Sequence, residues 1–323
     1  MNTTIKKVMT MIAGTIILCM VSVTFAQQPQ QEQQPRPQRT PPTPLTERLL
    51  KAYLDLPDAQ RKAENKRFLE MYEGLRVADL RDGMDWFGYM HYGSMDPAVR
   101  PLWPAITLGI ARTVRYLPYV GPNPLERGQD YNRWQGMFYN QIATYPWLPQ
   151  IEDGDFVAID VSGCNVGLLG SENTIRAHMS GCRGFVLNGS GIRDTDETIH
   201  QKMPIWSHYV SQTMVQGRIQ FESTQAPIAI GGVTIFPGDI IVGDNDGILV
   251  IPRAIAEEVA KQGHRMLQDD IRGRRRLFEQ AGWELDETVT PADPKVLLAL
   301  YTKLGWEDMV TWITRRFISP PQR

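Results

Sequence analysis

The residues with the clearest chemical potential lie between positions 183 and 197, where the chain reads RGFVLNGSGIRDTDE. The apolar run at 185–187 predicts a buried strand, and the Asn-Gly-Ser-Gly segment at 188–191 predicts a sharp turn where a ligand can approach the backbone. Arg193 and Asp194 follow directly. An arginine can bind a carboxylate through two hydrogen bonds, and a neighbouring acid can hold a hard divalent cation. Because open α/β sheets usually place ligands at the carboxyl ends of their strands, this pair is a candidate ligand site. A polar loop with a surface ion pair is the alternative.

The order of the predicted elements indicates an α/β fold that would position this pair. A strand at 156–161 precedes a helix at 172–179, for which Ser171 is the predicted N-cap, and the strand at 185–187 follows. This order is a βαβ unit, for which a right-handed crossover is expected. Further elements are a strand at 105–119, a helix at 130–145, hairpin strands at 227–230, 233–236, 240–242 and 248–251, and a closing helix at 254–280.

Both ends of the chain differ in composition from this core. Residues 1–26 have the layout of a secretory signal peptide, which predicts export to a bacterial periplasm, with an uncleaved anchor as the alternative. The Gln- and Pro-rich segment 27–44 has little to bury and predicts a disordered tether. Residues 45–76 predict a helical N-terminal extension, 77–282 the main domain, and 283–323 a helical C-terminal extension.

Composition and spacing exclude several classes of function. The net charge of −2 gives no basic footprint for nucleic acid. The five histidines lack zinc-site spacing, and no nucleophile elbow occurs. A dinucleotide fingerprint is incomplete, because Asp194 stands where its third glycine belongs. Cys164 and Cys182 are expected at opposite ends of the βαβ unit, so two free thiols are predicted rather than a disulfide.

The lysines argue against Schiff-base chemistry. Between Lys66 and Lys295 the chain has only Lys202, in a polar loop, and Lys261, on a polar helix. Neither is placed to be a desolvated amine ready to attack a carbonyl. A carbon–carbon lyase built on this sequence would therefore use a metal ion, for which the carboxylates of Glu172 and Asp194 are suitable.

Two long motifs carry a resemblance to a known family. Residues 154–160, the Gly170-x-Glu172 element and the run GFVLNGSGIRD at 184–194 resemble the RraA-like family, which contains 4-hydroxy-4-methyl-2-oxoglutarate aldolases and ribonuclease E regulators. The run GGVTIFPGDIIVGDNDGILVIPR at 231–253 is similar to the second signature of the family. The resemblance covers residues 77–282. It implies a β/β/α swivelling-domain fold, assembled as a homotrimer or homohexamer with sites between subunits.

The resemblance also implies roles for individual residues. Asp194 would bind Mg²⁺ or Mn²⁺, and Arg193 would hold an oxo-acid substrate and stabilise its enolate. Glu172 would bind metal-bound waters or relay protons. The backbone amides of Asn173 and Thr174 would receive the substrate carboxylate at a helix N-terminus. A further acid from a neighbouring subunit would correspond to Asp270, or to Asp269.

Two functional hypotheses follow. The first is a divalent-metal-dependent lyase that cleaves a 4-hydroxy-2-oxo acid to pyruvate and a second carbonyl compound, with decarboxylation of oxaloacetate as a related activity. The second is an exported binding or regulatory protein without catalysis. Retention of Glu172, Arg193 and Asp194 favours the enzyme, because a scaffold alone does not need that set of residues.

Overall fold

The computed structural model describes residues 45–121 and 130–319. The predicted signal peptide and tether lie outside the described residues, so they stay predictions, as do export and the domain boundaries. Within the described ranges, no helix combines the length and the apolar character needed to cross a membrane.

The described elements alternate between strands and helices through the middle of the chain, as predicted for an α/β fold. The strands are β1 Arg100–Pro101, β2 Thr107–Pro118, β3 Asp155–Asp160, β4 Gly184–Asn188, β5 Ile205–Ser207, β6 Ile219–Thr224, β7 Ile228–Ile230, β8 Val233–Ile235, β9 Ile240–Asp244 and β10 Gly247–Ile251. The helices are α1 Leu45–Leu54, α2 Asp58–Tyr72, α3 Val77–Trp86, α4 Tyr131–Gln141, α5 Ser171–Met179, α6 Thr195–His200, α7 Ala256–Ala281, α8 Pro294–Leu304 and α9 Glu307–Ile313.

The main sheet is built around β2. Strands β2, β3, β4 and β5 are parallel, whereas β9 and β6 pair with β2 in the antiparallel sense. The order is β1-β5-β4-β3-β2-β9-β10. The two ends of this order approach each other, because Arg100 of β1 donates to the carbonyl of Asn245, beside β10, at 3.1 Å. The sheet is therefore close to a closed barrel.

Burial on both faces explains the apolar character of the central strands. All six residues of β3 are buried, which is typical of a parallel strand covered on both sides. Inside the near-barrel, Phe156, Val186 and Trp206 pack with residues of the β7–β8 hairpin. Outside it, helices α4 and α5 cover one part of the sheet, and α2, α3, α7, α8 and α9 cover another.

The N-terminal extension packs against α7. The hydroxyl of Tyr72 donates to the carbonyl of Ala256 at 2.7 Å, and Arg67 pairs with Glu257 at 2.7 Å. The C-terminal helices share the same core through Leu297, Tyr301 and Trp306 (all buried). Both extensions are thus parts of one packed unit with the sheet.

Two local details differ from the sequence-based predictions. The predicted N-cap Ser171 is wrong: Gly170 is the cap, and Ser171 is the first helical residue, with no side-chain capping bond in α5. The short helix α6 directly after Asp194 was not predicted, because six residues carry too little periodicity to be recognised.

The two cysteines are free, as predicted, with Cys182 buried and Cys164 partly exposed.

We predict that His264 makes the fold sensitive to mild acid. Its Nε2 lies 3.0 Å from the carbonyl of Met71, and burial lowers the pKa of His264 to about 4. In the unfolded chain the imidazole takes up a proton below a pH of about 6.5, whereas in the folded protein it stays neutral down to a pH of about 4. The stability that the neutral imidazole contributes is therefore complete above a pH of about 6.5 and is lost as the pH falls toward 4. The loss should reach roughly 2–3 kcal/mol.

Urea unfolding at several pH values between 7.5 and 4.5 tests this. His264→Gln keeps a donor for the Met71 carbonyl and cannot titrate, so its stability should change less with pH than that of the wild type. The exposed His91 provides the control His91→Gln, which should retain the wild-type slope. Equal slopes for all three proteins would contradict the prediction.

Candidate functional site

The structure brings the segments before α5 and α6 together. After β4 the chain turns through Gly189 and Gly191, whose φ angles are 89° and 57°. Ile192 then forms a parallel bridge with Leu169. The amide of Leu169 donates to the carbonyl of Gly191 at 2.7 Å, and the amide of Arg193 donates back to the carbonyl of Leu169 at 2.9 Å. The N-terminus of α5 therefore lies beside the Arg193–Asp194 pair.

The carboxylate of Asp194 is held by two donors. The Nε of Arg193 donates to Oδ1 at 3.1 Å, and the backbone N–H of Ser171 donates to Oδ2 at 3.3 Å. Asp194 has φ 57° and ψ 45°, a left-handed conformation that is uncommon for a residue other than glycine and is often found at functional sites. Both side chains remain about one-third exposed, so the pair is accessible from solvent.

Two glycines leave the space that this pair occupies. A Cβ built on Gly170 would lie 2.5 Å from Oδ2 of Asp194. A Cβ on Gly167 would lie 2.6 Å from Cδ of Arg193 and 2.6 Å from the carbonyl oxygen of Thr213. Gly170 belonged to a predicted motif, but its contact with Asp194 could not be read from a spacing of 24 residues.

Three other predicted site residues, Glu172, Asn173 and Thr174, lie in the first turn of α5, and their contacts differ. Glu172 is exposed and pairs with Arg176 at 2.7 Å. The N–H of Thr174 donates to the carbonyl of Gly170 at 3.2 Å, so this amide already has an acceptor within the helix. The side chain of Asn173 lies beside Tyr145 and acts to lower the pKa of its phenol. The substrate-binding roles of Asn173 and Thr174 stay predictions.

Tyr145 is a residue near the site that the sequence analysis missed. Its hydroxyl donates to the carbonyl of Leu168 at 2.7 Å, and burial raises the pKa of Tyr145 well above its usual value, while the charge of Arg193 acts in the opposite direction. Its ring packs 6.1 Å from that of Trp147. Tyr145 thus supports the extended segment before α5, which contains Leu168. No spacing signal links these positions.

The predicted fourth acid is remote from the pair within one chain. Asp270 pairs with Arg274 at 2.7 Å and with Arg76 at 3.5 Å, whereas Asp269 pairs with Arg316 at 2.8 Å. Neither contacts Arg193 or Asp194. The contribution of Asp270 from a neighbouring subunit stays a prediction.

The donor set is suitable for a weakly ligated hard cation. Among the residues that the structure describes, no group of three His, Cys, Asp or Glu side chains is close enough to hold a metal ion. Mg²⁺ often binds through only one or two carboxylates and keeps several waters. The partly exposed carboxylate of Asp194 is the group that would hold such a cation.

We predict that Gly170→Ala displaces the carboxylate of Asp194. The added methyl would overlap Oδ2, so we expect a loss of stability of about 1–3 kcal/mol and an affinity for Mn²⁺ weaker by at least about tenfold. Thermal unfolding and calorimetric titration with Mn²⁺ measure the two effects. Gly273→Ala is the matched control, because nothing lies within 4 Å of its Cβ position in α7. Unchanged Mn²⁺ affinity in a folded Gly170→Ala protein would contradict the prediction.

Comparison with known proteins agrees with this architecture. An uncharacterized protein from Pseudomonas syringae pv. tomato, whose crystal structure is known, superposes with a TM-score of 0.54 at 25% identity, over 70% of this chain and 98% of that one. A protein of Halalkalibacterium halodurans named "Putative 4-hydroxy-4-methyl-2-oxoglutarate aldolase" is 31% identical over 132 residues. That match covers 41% of this chain and 62% of the relative.

A second relative is larger than this chain. Protein DlpA of Legionella pneumophila is 27% identical over 189 residues, which are 57% of this chain and 27% of that protein. The matches thus span less than two thirds of either relative. The family described as RraA-like, Aldolase/RraA, matches residues 77–250, more than half of the chain. The predicted resemblance and fold class are therefore confirmed: this chain, with its mixed α/β near-barrel and terminal helices, belongs to the RraA-like family.

Proposed function

We propose that this protein is a divalent-metal-dependent lyase that cleaves a 4-hydroxy-2-oxo acid to pyruvate and a second carbonyl compound. The observation that carries the proposal is the Asp194 carboxylate, held between Arg193 and the N-terminus of α5 and still open to solvent. Relatives named as aldolases support a lyase of this kind. Decarboxylation of oxaloacetate is a related reaction, because it also produces the enolate of pyruvate.

The residues around Asp194 can bind the carboxylate of the substrate and a metal ion at separate groups. Arg193 uses Nε for Asp194, and its two Nη groups have no acceptor within the described residues, so they can bind the carboxylate of an oxo acid. The N–H groups of Glu172 and Asn173 precede the first intrahelical bonds of α5 and can bind the same anion. Asp194 would hold the cation, which supplies positive charge next to the 2-oxo group.

The reaction needs one proton removed and one returned. The C4 hydroxyl loses its proton, the C3–C4 bond breaks, C4 becomes a carbonyl, and C3 of the resulting enolate takes up a proton to give pyruvate. Arg193 stabilises the negative charge of the enolate. Glu172 is the exposed acid in the first turn of α5, and it relays the protons through water. Asp270 of a neighbouring subunit would complete the site in a homo-oligomer, trimeric or hexameric.

One observation favours the alternative, a binding or regulatory protein without catalysis. Within the described residues, Glu172 and Asp270 are each paired with an arginine rather than directed at Asp194.

We propose for either function that the protein is exported, in keeping with the predicted signal peptide.

Pyruvate release from 4-hydroxy-4-methyl-2-oxoglutarate and from oxaloacetate tests the lyase. We expect activity of the full-length protein with Mg²⁺, and none with EDTA. Asp194→Asn keeps the shape of the side chain and removes its charge, so we expect a loss of at least about 100-fold. Arg193→Lys should also lower kcat/KM, because lysine cannot bind a carboxylate through a planar fork.

Asp196→Asn is the matched control, since it removes the same charge from an exposed position two residues away. Its activity should equal that of the wild type. A fully active Asp194→Asn protein would place the chemistry elsewhere. A folded wild type that binds Mn²⁺ but releases no pyruvate from either acid would mean a different substrate, and absence of Mn²⁺ binding would favour the binding protein.

A further inference from the structure

A cavity of about 570 Å³ lies between the N-terminal helices and the sheet. Helices α1 and α2 form one wall, and the loop after α3, the turn between β8 and β9 and the turn after β10 form the others. We call it the aromatic cavity and define it by Tyr53, Phe68, Tyr89, Tyr92, Phe236 and Arg253. Its volume is within the range of small-molecule sites, which are mostly apolar and have a few polar groups.

The aromatic cavity is separate from the Arg193–Asp194 site. Its wall residue Asp239 accepts a backbone bond from Ala111 at 2.8 Å, and Ala111 is paired with Phe156 near the start of β3. Asp194 instead follows the carboxyl end of β4, which runs parallel to β3. The two sites therefore lie toward opposite ends of the parallel strands.

The charged side chains of the aromatic cavity already have hydrogen-bond partners. The guanidinium of Arg253 lies 4.9 Å from the ring centre of Tyr53 and 4.6 Å from that of Phe68. It pairs with Glu64 at 3.0 Å. The two carboxylate oxygens of Asp239 accept backbone N–H groups of Phe236 and Arg253 at 2.9 and 3.2 Å. Burial nevertheless raises the pKa of Asp239 to about 7, so this space disfavours even the charge of its own carboxylate. The charge of a ligand would be disfavoured in the same way, so an uncharged ligand is favoured.

The lining residues also favour a planar ligand that carries one polar group. Aromatic side chains stack favourably on other planar rings. Within the described part of the chain, the hydroxyl of Tyr89 and the ring of His91 have no hydrogen-bond partner, and both line the cavity. They can bind a hydroxyl on a ligand whose ring lies among the aromatic walls. We propose that the aromatic cavity binds a small uncharged phenol.

This proposal is independent of the lyase function. The cavity requires the N-terminal helices, because Tyr53, Glu64 and Phe68 belong to α1 and α2, which precede residues 77–250 of the family match. A bound ligand would contact both these helices and the core, so it should also raise the thermal unfolding temperature of the protein.

Calorimetric titration of the full-length protein with phenol tests the proposal. Cyclohexanol has the same size and hydroxyl without the aromatic ring, and benzoate has the ring with a charge. We expect phenol to bind at least about fivefold more tightly than either. Absence of phenol binding up to millimolar concentration, or equal binding of cyclohexanol, would overturn the proposal.

Two variants locate the binding. Ala52→Trp adds bulk at the exposed rim of the cavity, and Tyr89→Leu removes a ring and a hydroxyl. Each should weaken phenol binding by at least about fivefold while thermal unfolding confirms the fold. Trp86→Leu is the control, because Trp86 is 73% exposed and does not line the cavity. Wild-type phenol affinity in both cavity variants would show that phenol binds elsewhere.

Discussion

The parallel bridge between Leu169 and Ile192 is the interaction on which the candidate site depends. It joins two segments that each follow a buried strand and each precede a helix, and it places the N-terminus of α5 beside Asp194. A helix N-terminus favours negative charge, because its first N–H groups have no partner within the helix. The carboxylate of Asp194 takes one of these groups, and the rest stay available for an anionic ligand.

This arrangement tolerates little variation in the residues around it. Asp194 adopts a left-handed backbone conformation, and Gly167 and Gly170 leave no Cβ where the side chains of Arg193 and Asp194 pass. Backbone strain and close approach of this kind persist only where the surrounding structure determines them. In this chain the buried strands β3 and β4 supply that support, since they fix the two segments from which the site is built.

Helical extensions flank the family core at both ends. In this chain they are packed on α7 and share one apolar core with the sheet, through contacts such as that of Tyr72 with Ala256. Helices α1 and α2 form one wall of the aromatic cavity, with Arg253 stacked between their rings. The N-terminal extension therefore adds a cavity toward one end of the parallel strands, and the Arg193–Asp194 site lies toward the other end.

The sequence by itself determined the strand–helix–strand order, the buried character of β3 and β4 and the proximity of Arg193 to Asp194, because these depend on residues close together in the chain. Its two long motifs also determined the family. The tertiary structure alone decided that Gly170 rather than Ser171 caps α5, that Gly170 adjoins Asp194, and that the hydroxyl of Tyr145 donates to the carbonyl of Leu168. It also decided that Asp270 pairs with Arg76, at the end of the N-terminal extension, and not with the Arg193–Asp194 pair of the same chain. These contacts join residues on different elements or depend on side-chain directions, and hydrophobic periodicity carries no information about either.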